Sequence, residues 1–450
     1  MLKIYEQISC DIKQKIILDQ MPQGAKLPSI TSLCKEYKCS KGTVIKAYDN
    51  LCNEHIVYSS PQSGFYVADN LVRFNTNQTN IYDLSTGNSL VSNIPIKDIQ
   101  HCLNSALELH GNMSLNMDLE GLPSLRELLT DLLMKDDIYS KSKNLILSQG
   151  ILQVLTLFSK MEFPNGNDTI LIEDPSYTYY INFLKYENMK VKTIKRDENG
   201  INLYKLEEIF KTQNIKFFYT IPRNHNPLGT YYSLNQRKAI MKLAHTYNVY
   251  IIEDDYFSDL STLSRYSPLY YYSDFRNCIY LRSFSKTIPY IRIGVAIIPD
   301  DLINGFREWM RYSYYFSYYM PSLVSQATLE SYIKSSIYNK HVTILSNNLK
   351  DTLKLFRKIT STWDSNLVKI LGGSSGYYST IRLAPHISCN KLLDNLKSKN
   401  IFLAHNSASY YNAENFDNSL RLSIARINSA DLKLALNIIY DEILKLSQIQ

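Results

Sequence analysis

Apolar side chains at the start of the chain recur with helical spacing. Ile4, Ile8, Ile12 and Ile16 fall every fourth residue with Lys and Asp between them, which predicts one amphipathic helix ended by Pro22 and Gly24. Leu27-Pro28-Ser29 offers a second start, with Ser29 as N-cap and Leu33 and Tyr37 facing inward. A break at Lys38-Cys39-Ser40 leads to a third helix, capped by Ser40, whose buried stripe is Val44, Ala47, Tyr48 and Leu51. Ile56-Val57-Tyr58 and Phe65-Tyr66-Val67 then flank Ser59-Ser60-Pro61-Gln62-Ser63-Gly64, the pattern of a hairpin. Helix, helix, short turn, helix, hairpin predicts a winged helix-turn-helix over residues 1–69.

Residues 70–82 are polar and without a consistent period, as expected of a connector. The pattern then changes. Short β-type runs (Thr169–Glu173, Lys216–Ile221, Val249–Glu253, Cys278–Leu281 and Ile293–Ile298) are separated by helical stretches. That alternation predicts a large α/β domain over residues 83–320 with a mostly parallel sheet covered on both faces. Residues 321–450 are expected to form a small C-terminal α+β domain.

Composition narrows the class. The 450 residues are 45% hydrophobic and 20% charged, which supports a sizeable core rather than disorder. The net charge of +7 permits an anionic partner without requiring one. Seven scattered cysteines with no Cys-x-x-Cys pair argue against a disulfide framework or zinc knuckle, so no metal is expected and a reducing cytoplasm fits. No apolar run is long enough to span a membrane.

The third helix presents Lys41, Thr43, Lys46 and Asn50 opposite its buried stripe, and no acidic residue lies between Tyr37 and Tyr48. Such a face suits phosphate contact, with Thr43 or Asn50 able to reach bases or sugars, and fits equally the solvated basic face of a small helical cap. Leu27-Pro28-Ser29, Ser40-Lys41-Gly42-Thr43-Val44, Ala47-Tyr48 and Gly64-Phe65-Tyr66-Val67 resemble the GntR-family DNA-binding domain. The resemblance implies DNA contact through Ser29, Thr31, Lys41, Thr43, Lys46 and Gly64. Thr31 and Lys41 stand where that family often has arginine.

In parallel sheets ligands sit beyond the carboxyl ends of the strands. The loops there carry Glu173-Asp174-Pro175-Ser176-Tyr177, Pro222-Arg223-Asn224-His225-Asn226-Pro227-Leu228-Gly229, Asp254-Asp255-Tyr256 and Arg282-Ser283-Phe284-Ser285-Lys286, and Arg292-Ile293-Gly294 opens the last run. Pyridoxal 5'-phosphate needs such a set: an amine for a Schiff base, an acid for the pyridine nitrogen and donors for the phosphate. Lys286 supplies the amine and Asp254 the acid. Asn226 and Tyr256 would bond the phenolic oxygen, and Tyr177 would stack on the ring. Ser283, Ser285 and Arg292 would hold the phosphate, joined by the helix N-terminus at Gly150, Ile151 and Leu152.

These motifs, with Gly121-Leu122-Pro123-Ser124-Leu125-Arg126 and Ser419-Leu420-Arg421-Leu422-Ser423, resemble the PLP-dependent fold type I aminotransferases. The resemblance implies that Arg421 grips the α-carboxylate of an amino-acid ligand. The offset of Asp254 from Tyr256 selects it over Asp255. Three positions depart from the pattern: Lys286 to Arg292 is one residue short, Leu228 replaces a common Thr, and Asn116 stands where a tyrosine often reaches the neighbouring subunit's phosphate. The absence of an arginine near Tyr177 to bind a distal carboxylate hints against a dicarboxylic or γ-acid effector.

The order of the two halves resembles the MocR/GabR subfamily of bacterial transcription regulators. That implies a homodimer, domain-swapped head to tail, that binds a promoter operator in double-stranded DNA. The signal would be an amine or amino acid, or pyridoxal phosphate itself, read through an aldimine at Lys286. Residual transaminase activity is compatible with these residues, and a working aminotransferase with an accessory DNA-binding domain is the alternative reading.

Overall fold

The structure, a computed structural model, describes residues 3–19, 21–53, 56–60, 63–68, 81–90, 93–110, 119–263, 266–313 and 320–448. The expected connector up to residue 80 and the departure at Asn116 lie outside the described residues. The chain divides into two compact units, Met1–Thr79 and Asn80–Gln450.

The first unit comprises α1 (Ile4–Leu18), α2 (Ile30–Glu36), α3 (Lys41–Asn53), β1 (Val57–Ser60) and β2 (Gly64–Val67). Ser29 caps α2 by accepting from the Ser32 N–H at 3.1 Å, and Ser40 Oγ accepts from the Thr43 N–H at 3.2 Å at the start of α3. Val44, Ala47, Tyr48 and Leu51 are fully buried against Ile8, Ile12 and Leu33. Ile4 is half exposed, so the stripe on α1 packs only from Ile8 onward. Tyr37 Oη donates to Asp11 at 2.9 Å and ties α2 to α1. β1 and β2 pair antiparallel with Val57 opposite Val67. The Phe65 ring lies flat on Tyr48, centroids 3.9 Å apart and planes within 2°, which fixes the hairpin to α3.

The second unit opens with β3 (Tyr82–Asp83), α4 (Ile96–Leu109) and α5 (Pro123–Met134). There follow β4 (Leu145–Ser148), α6 (Ile151–Lys160), β5 (Thr169–Asp174), α7 (Thr178–Tyr186), β6 (Val191–Asp197), β7 (Gly200–Ile201) and α8 (Leu203–Thr212). The main sheet is completed by β8 (Ile215–Thr220), α9 (Leu234–Thr246), β9 (Tyr250–Asp254), β10 (Cys278–Ser283) and β11 (Gly294–Ile297), after which comes α10 (Asp300–Tyr312). Its eight strands run in the order β4-β11-β10-β9-β8-β5-β6-β7. The five from β10 to β6 are parallel. Both faces are covered, because alternate residues fall into separate cores: Phe217, Tyr219 and Ile252 on one side, Phe218 and Ile251 on the other.

The last predicted run, β11, is antiparallel to both its neighbours, pairing Gly294 with Ser283 of β10 and with Ser148 of β4. Its beginning therefore lies at the edge where β4 and β10 end. A second sheet of β12 (Val368–Gly372), β13 (Tyr378–Leu383), β16 (Ser419–Ser423) and β15 (Ala404–His405) is antiparallel throughout. β3 pairs with β14 (Ile401–Phe402), so Tyr82, the last residue of the expected connector, begins a strand. No helix among the described residues is long and apolar enough to cross a membrane.

Tyr48→Ala should destabilise the first unit by about 3–5 kcal/mol, the range for emptying a buried aromatic site. Hydrogen exchange in the full chain would read this as lost protection in α3 with protection of β8 and β9 retained.

Candidate functional site

The carboxyl ends of the parallel strands open into a cavity of about 610 Å³. Its wall carries Gly150, Ile151, Leu152, Tyr177, Asn226, Asp254, Tyr256, Ser283, Ser285, Lys286 and Arg292, so segments far apart in the chain meet at one place. The reversal of β11 explains the presence of Arg292, two residues before Gly294. Gly294 has no room for a side chain: a Cβ would come within 2.8 Å of Ser148 Oγ and 3.0 Å of Gly150 Cα. This close approach brings Arg292 beside the N-terminus of α6. Gly150, at φ +103°, occupies the N-cap of α6 without a side-chain cap, and the helix start at Ile151 and Leu152 lines the cavity, where N–H groups favour an anion.

Asp254 ends β9 with its carboxylate buried. Tyr219 Oη donates to Oδ2 at 2.7 Å, and the Tyr256 N–H reaches Oδ1 at 3.2 Å. Burial pushes this carboxyl up to about 7, against the hydrogen bond from Tyr219, with the neighbouring Asp255 adding to the rise. Asp255 points elsewhere and is consumed by a two-pronged pair with Arg223 (Nε to Oδ1 2.6 Å, Nη2 to Oδ2 2.5 Å) and by Tyr280 Oη at 2.7 Å. Asp254, not Asp255, therefore faces the cavity.

Lys286 is half-buried, its Nζ donating to Gly87 O at 2.7 Å and to Asn88 Oδ1 at 3.4 Å. Tyr256 Oη donates to Asn224 O at 2.7 Å, and burial raises its pKa strongly. Arg421 does not line the cavity but touches two residues that do, with Nη1 on Asn226 Oδ1 at 3.0 Å and its guanidinium 4.7 Å from the Tyr378 ring centre, while Nη2 donates to Ser85 O at 2.8 Å. Its buried Nε has no partner. The loop bearing Asn226 is anchored from below by Glu173, which accepts from Arg196 at 2.9 Å, Tyr232 at 2.5 Å and the Ile221 N–H at 2.9 Å, with His225 Nε2 3.3 Å away. Burial alone would raise the Glu173 carboxyl, but Arg196 and His225 outweigh it and hold it at about 2.

The set fits pyridoxal phosphate. One amine, one buried acid and an anion cradle of two serine hydroxyls, an arginine and an uncapped helix N-terminus line a single cavity, and that cradle exists only because Gly294 lacks a side chain. Sequence reasoning missed Asn88, Ser89, Tyr179, Pro289 and Tyr378 on the wall, and Tyr219 behind Asp254. Tyr219 was legible in principle, since it shares the buried face of β8 two residues before Ile221; Asn88, Ser89 and Pro289 lie in loops, and Tyr179 of α7 and Tyr378 of β13 reach the wall only through the packing of distant elements.

In the first unit, Ser29, Thr31, Lys41 and Lys46 are exposed and Thr43 is half-buried. Thr43 Oγ1 is 2.9 Å from Ser40 Oγ, so its hydroxyl serves the cap of α3. Lys46 Nζ rests 4.4 Å above the Tyr5 ring, whereas Lys41 opens the helix. Gly64, at φ +121°, begins β2.

Residues 78–439 match the model of the aminotransferase class I and II family, and residues 4–67 that of the bacterial regulatory proteins of the gntR family. The chain is similar over nearly its whole length to proteins named as HTH-type transcriptional regulators. It is 31% identical to YcxD of Bacillus subtilis, itself uncharacterised, across 95% of this chain and 97% of that protein. It is 26% identical to NorG of Staphylococcus aureus across 93% and 100%. Among solved structures, the fold resembles a multiple substrate aminotransferase from Thermococcus profundus (TM-score 0.74, 21% identity, 83% of this chain and 93% of that one). It also resembles the α-aminoadipate aminotransferase LysN of Thermus thermophilus, solved with N-(5'-phosphopyridoxyl)-L-leucine (0.73, 20%, 82% and 94%).

The raised Asp254 carboxyl makes stability depend on pH. The folded protein holds this proton more tightly than the unfolded chain, so the contribution of Asp254 to stability falls as pH rises from 3.8 toward about 7. Asp254→Asn should flatten that fall by on the order of a few kcal/mol without abolishing it, because burial also raises Glu253. Melting temperature against pH for the ligand-free variant and wild type would measure the difference.

Proposed function

Because the chain belongs to the MocR/GabR subfamily of bacterial transcription regulators, we propose that it senses pyridoxal phosphate, or an amine presented to it, through Lys286 and answers by changing its grip on DNA. Its larger part belongs to the aminotransferase class I and II family, whose fold implies a pyridoxal phosphate cofactor. The observation that carries the proposal is the convergence of Lys286, Asp254 and Arg292 on one cavity, in a chain that also bears a winged helix.

Lys286 holds the cofactor covalently, and Asp254 pairs with its ring nitrogen. A cation there suits a carboxylate whose burial is otherwise costly. Ser283, Ser285, Arg292 and the first turn of α6 take the phosphate, Asn226 the phenolic oxygen, joined by Tyr256 when its hydroxyl turns from Asn224 O, and Tyr177 the ring face. When bound, pyridoxal phosphate supplies a carbonyl carbon open to a primary amine. Arg421 offers an amino-acid effector a carboxylate site, and its unpartnered Nε gives it a donor to spare. A ligand shifts the protein only by favouring one conformation over another. The responding conformations differ in closure of the C-terminal part, and the regulator works as a head-to-tail homodimer that sets two winged helices on two half-sites.

Borohydride reduction of the loaded protein should fix one pyridoxyl mass at Lys286 and none in Lys286→Ala; a label of equal yield in the variant would refute the assignment. A gel shift on DNA upstream of its own gene, with and without pyridoxal phosphate and candidate amines, tests regulation. Turnover of amino donors at ordinary enzymic rates with no effect on DNA binding would favour an aminotransferase with an accessory module instead.

Lys41→Ala with Lys46→Ala should weaken DNA binding and reduce the slope of log affinity against log salt by about 1 for each phosphate left unneutralised. Lys41 should contribute the larger share, because Lys46 must leave the Tyr5 ring to reach a phosphate. Filter binding over a salt series would separate the two.

A further inference from the structure

We propose that the segment Asp83–Ser89 is a strap that reports the state of the cavity, because the two cations a ligand needs, Lys286 and Arg421, hold the backbone of its middle at Gly87 and Ser85. The inference rests on the sensing role given above to Lys286 and Arg421.

One end of the strap is anchored independently of the cavity. Leu84 is fully buried, its N–H donates to Phe402 O at 2.9 Å, and its carbonyl accepts from the Ser423 N–H at 2.8 Å. Arg426 Nη1 holds Asp83 at 2.9 Å. The middle is held differently: Arg421 Nη2 donates to Ser85 O at 2.8 Å and Lys286 Nζ to Gly87 O at 2.7 Å. Lys286 Nζ also reaches Asn88 Oδ1 at 3.4 Å, and Arg426 Nε donates to Asn88 O at 2.8 Å. Gly87 lies so close to Tyr378 that a Cβ would fall 2.0 Å from its hydroxyl oxygen, and the same ring carries the Arg421 guanidinium on its face. Strap, tyrosine and arginine thus form one stack, of which Tyr378 lines the cavity.

A ligand competes for the fastenings made by Lys286 and Arg421 and leaves Arg426 on Asn88 O. When Lys286 condenses with an aldehyde, the C=O bond is replaced by C=N, and the oxygen leaves as water with two of the three ammonium hydrogens. No electrons are transferred, and one hydrogen remains at Nζ where three donors stood before. A carboxylate on Arg421 draws its N–H groups from Ser85 O and Asn226 Oδ1. Gly87 O and Ser85 O are then left short of donors, which favours a different seating of the strap. Occupancy thereby acts on the stretch of chain that continues directly into residues 69–80 and the winged helix.

Amide exchange over residues 82–90 of the full-length protein should rise roughly fivefold or more on loading with pyridoxal phosphate, and likewise in unloaded Lys286→Ala. Exchange over β9 should stay unchanged in both, which separates release of the strap from unfolding. Borohydride labelling of the same samples reports loading on its own: no label at Lys286 overturns the cofactor assignment, while Lys286→Ala still tests the strap. Unchanged exchange in that variant, or in labelled wild type, overturns the strap. Gly87→Ala, which drives the segment off Tyr378, should change affinity for DNA upstream of its own gene by about fivefold or more. Wild-type affinity in Gly87→Ala would remove the strap from the signal path.

Discussion

Three successive carboxylates, Glu253, Asp254 and Asp255, are buried at the end of one strand, and the architecture around the cavity follows from the need to accommodate them. Acids crowded in low dielectric cannot all be tolerated without partners of their own. Side chains alternate along a strand, so Glu253 and Asp255 leave on one face of the sheet and Asp254 on the other. Glu253 takes the N–H groups of Leu269 and Tyr270 at 2.9 and 2.8 Å, and Asp255 takes Arg223 and Tyr280. Asp254 has only Tyr219 and one N–H, which leaves it capacity for a ligand. These bonds draw the loop after β8, the segment around Tyr270 and strand β10 to fixed places. The cavity is shaped before anything enters it.

The same alternation decided what could be read from the chain. Chemistry-bearing motifs at the ends of β5, β8, β9 and β10 were legible because a covered parallel sheet puts strand ends together. The choice of Asp254 over Asp255 followed from a two-residue offset, and it agrees with the face on which each side chain leaves. The direction of β11 was not legible, since the run Ile293–Ile298 has no polarity of its own. Strand β4, Leu145–Ser148, was too short to stand out. Asn88, Ser89 and Tyr378 reach the wall from segments brought in only by the antiparallel sheet and by the pairing of β3 with β14. Local sequence carries no trace of such long-range placement.

In the first unit the periodic positions were read almost without loss, because a small three-helix core is built from one stripe per helix. Ile4 is the exception. It lies in the first turn of α1, where no element covers it, so a residue of the right period remains half exposed. The polar face was read less well than the apolar one. Thr43 spends its hydroxyl on the helix cap, and Lys46 is drawn to Tyr5. Side chains counted as equivalent on a helical wheel begin from different local attractions, and a cation over a partly exposed ring such as Tyr5 is held by roughly 0.5–1 kcal/mol.

The pair of Glu173 and Arg196, with neither side chain exposed to solvent, sets a rule for how this protein can diverge. Losing either member alone strands its partner's charge in the interior, at a cost of about 3–5 kcal/mol, while replacing both with well-packed apolar residues can be neutral. Relatives should therefore keep both or lack both. Where both are lost, the loop carrying Asn226 must have acquired another foundation. Descent through single-residue steps is closed at these two positions unless a compensating change elsewhere comes first.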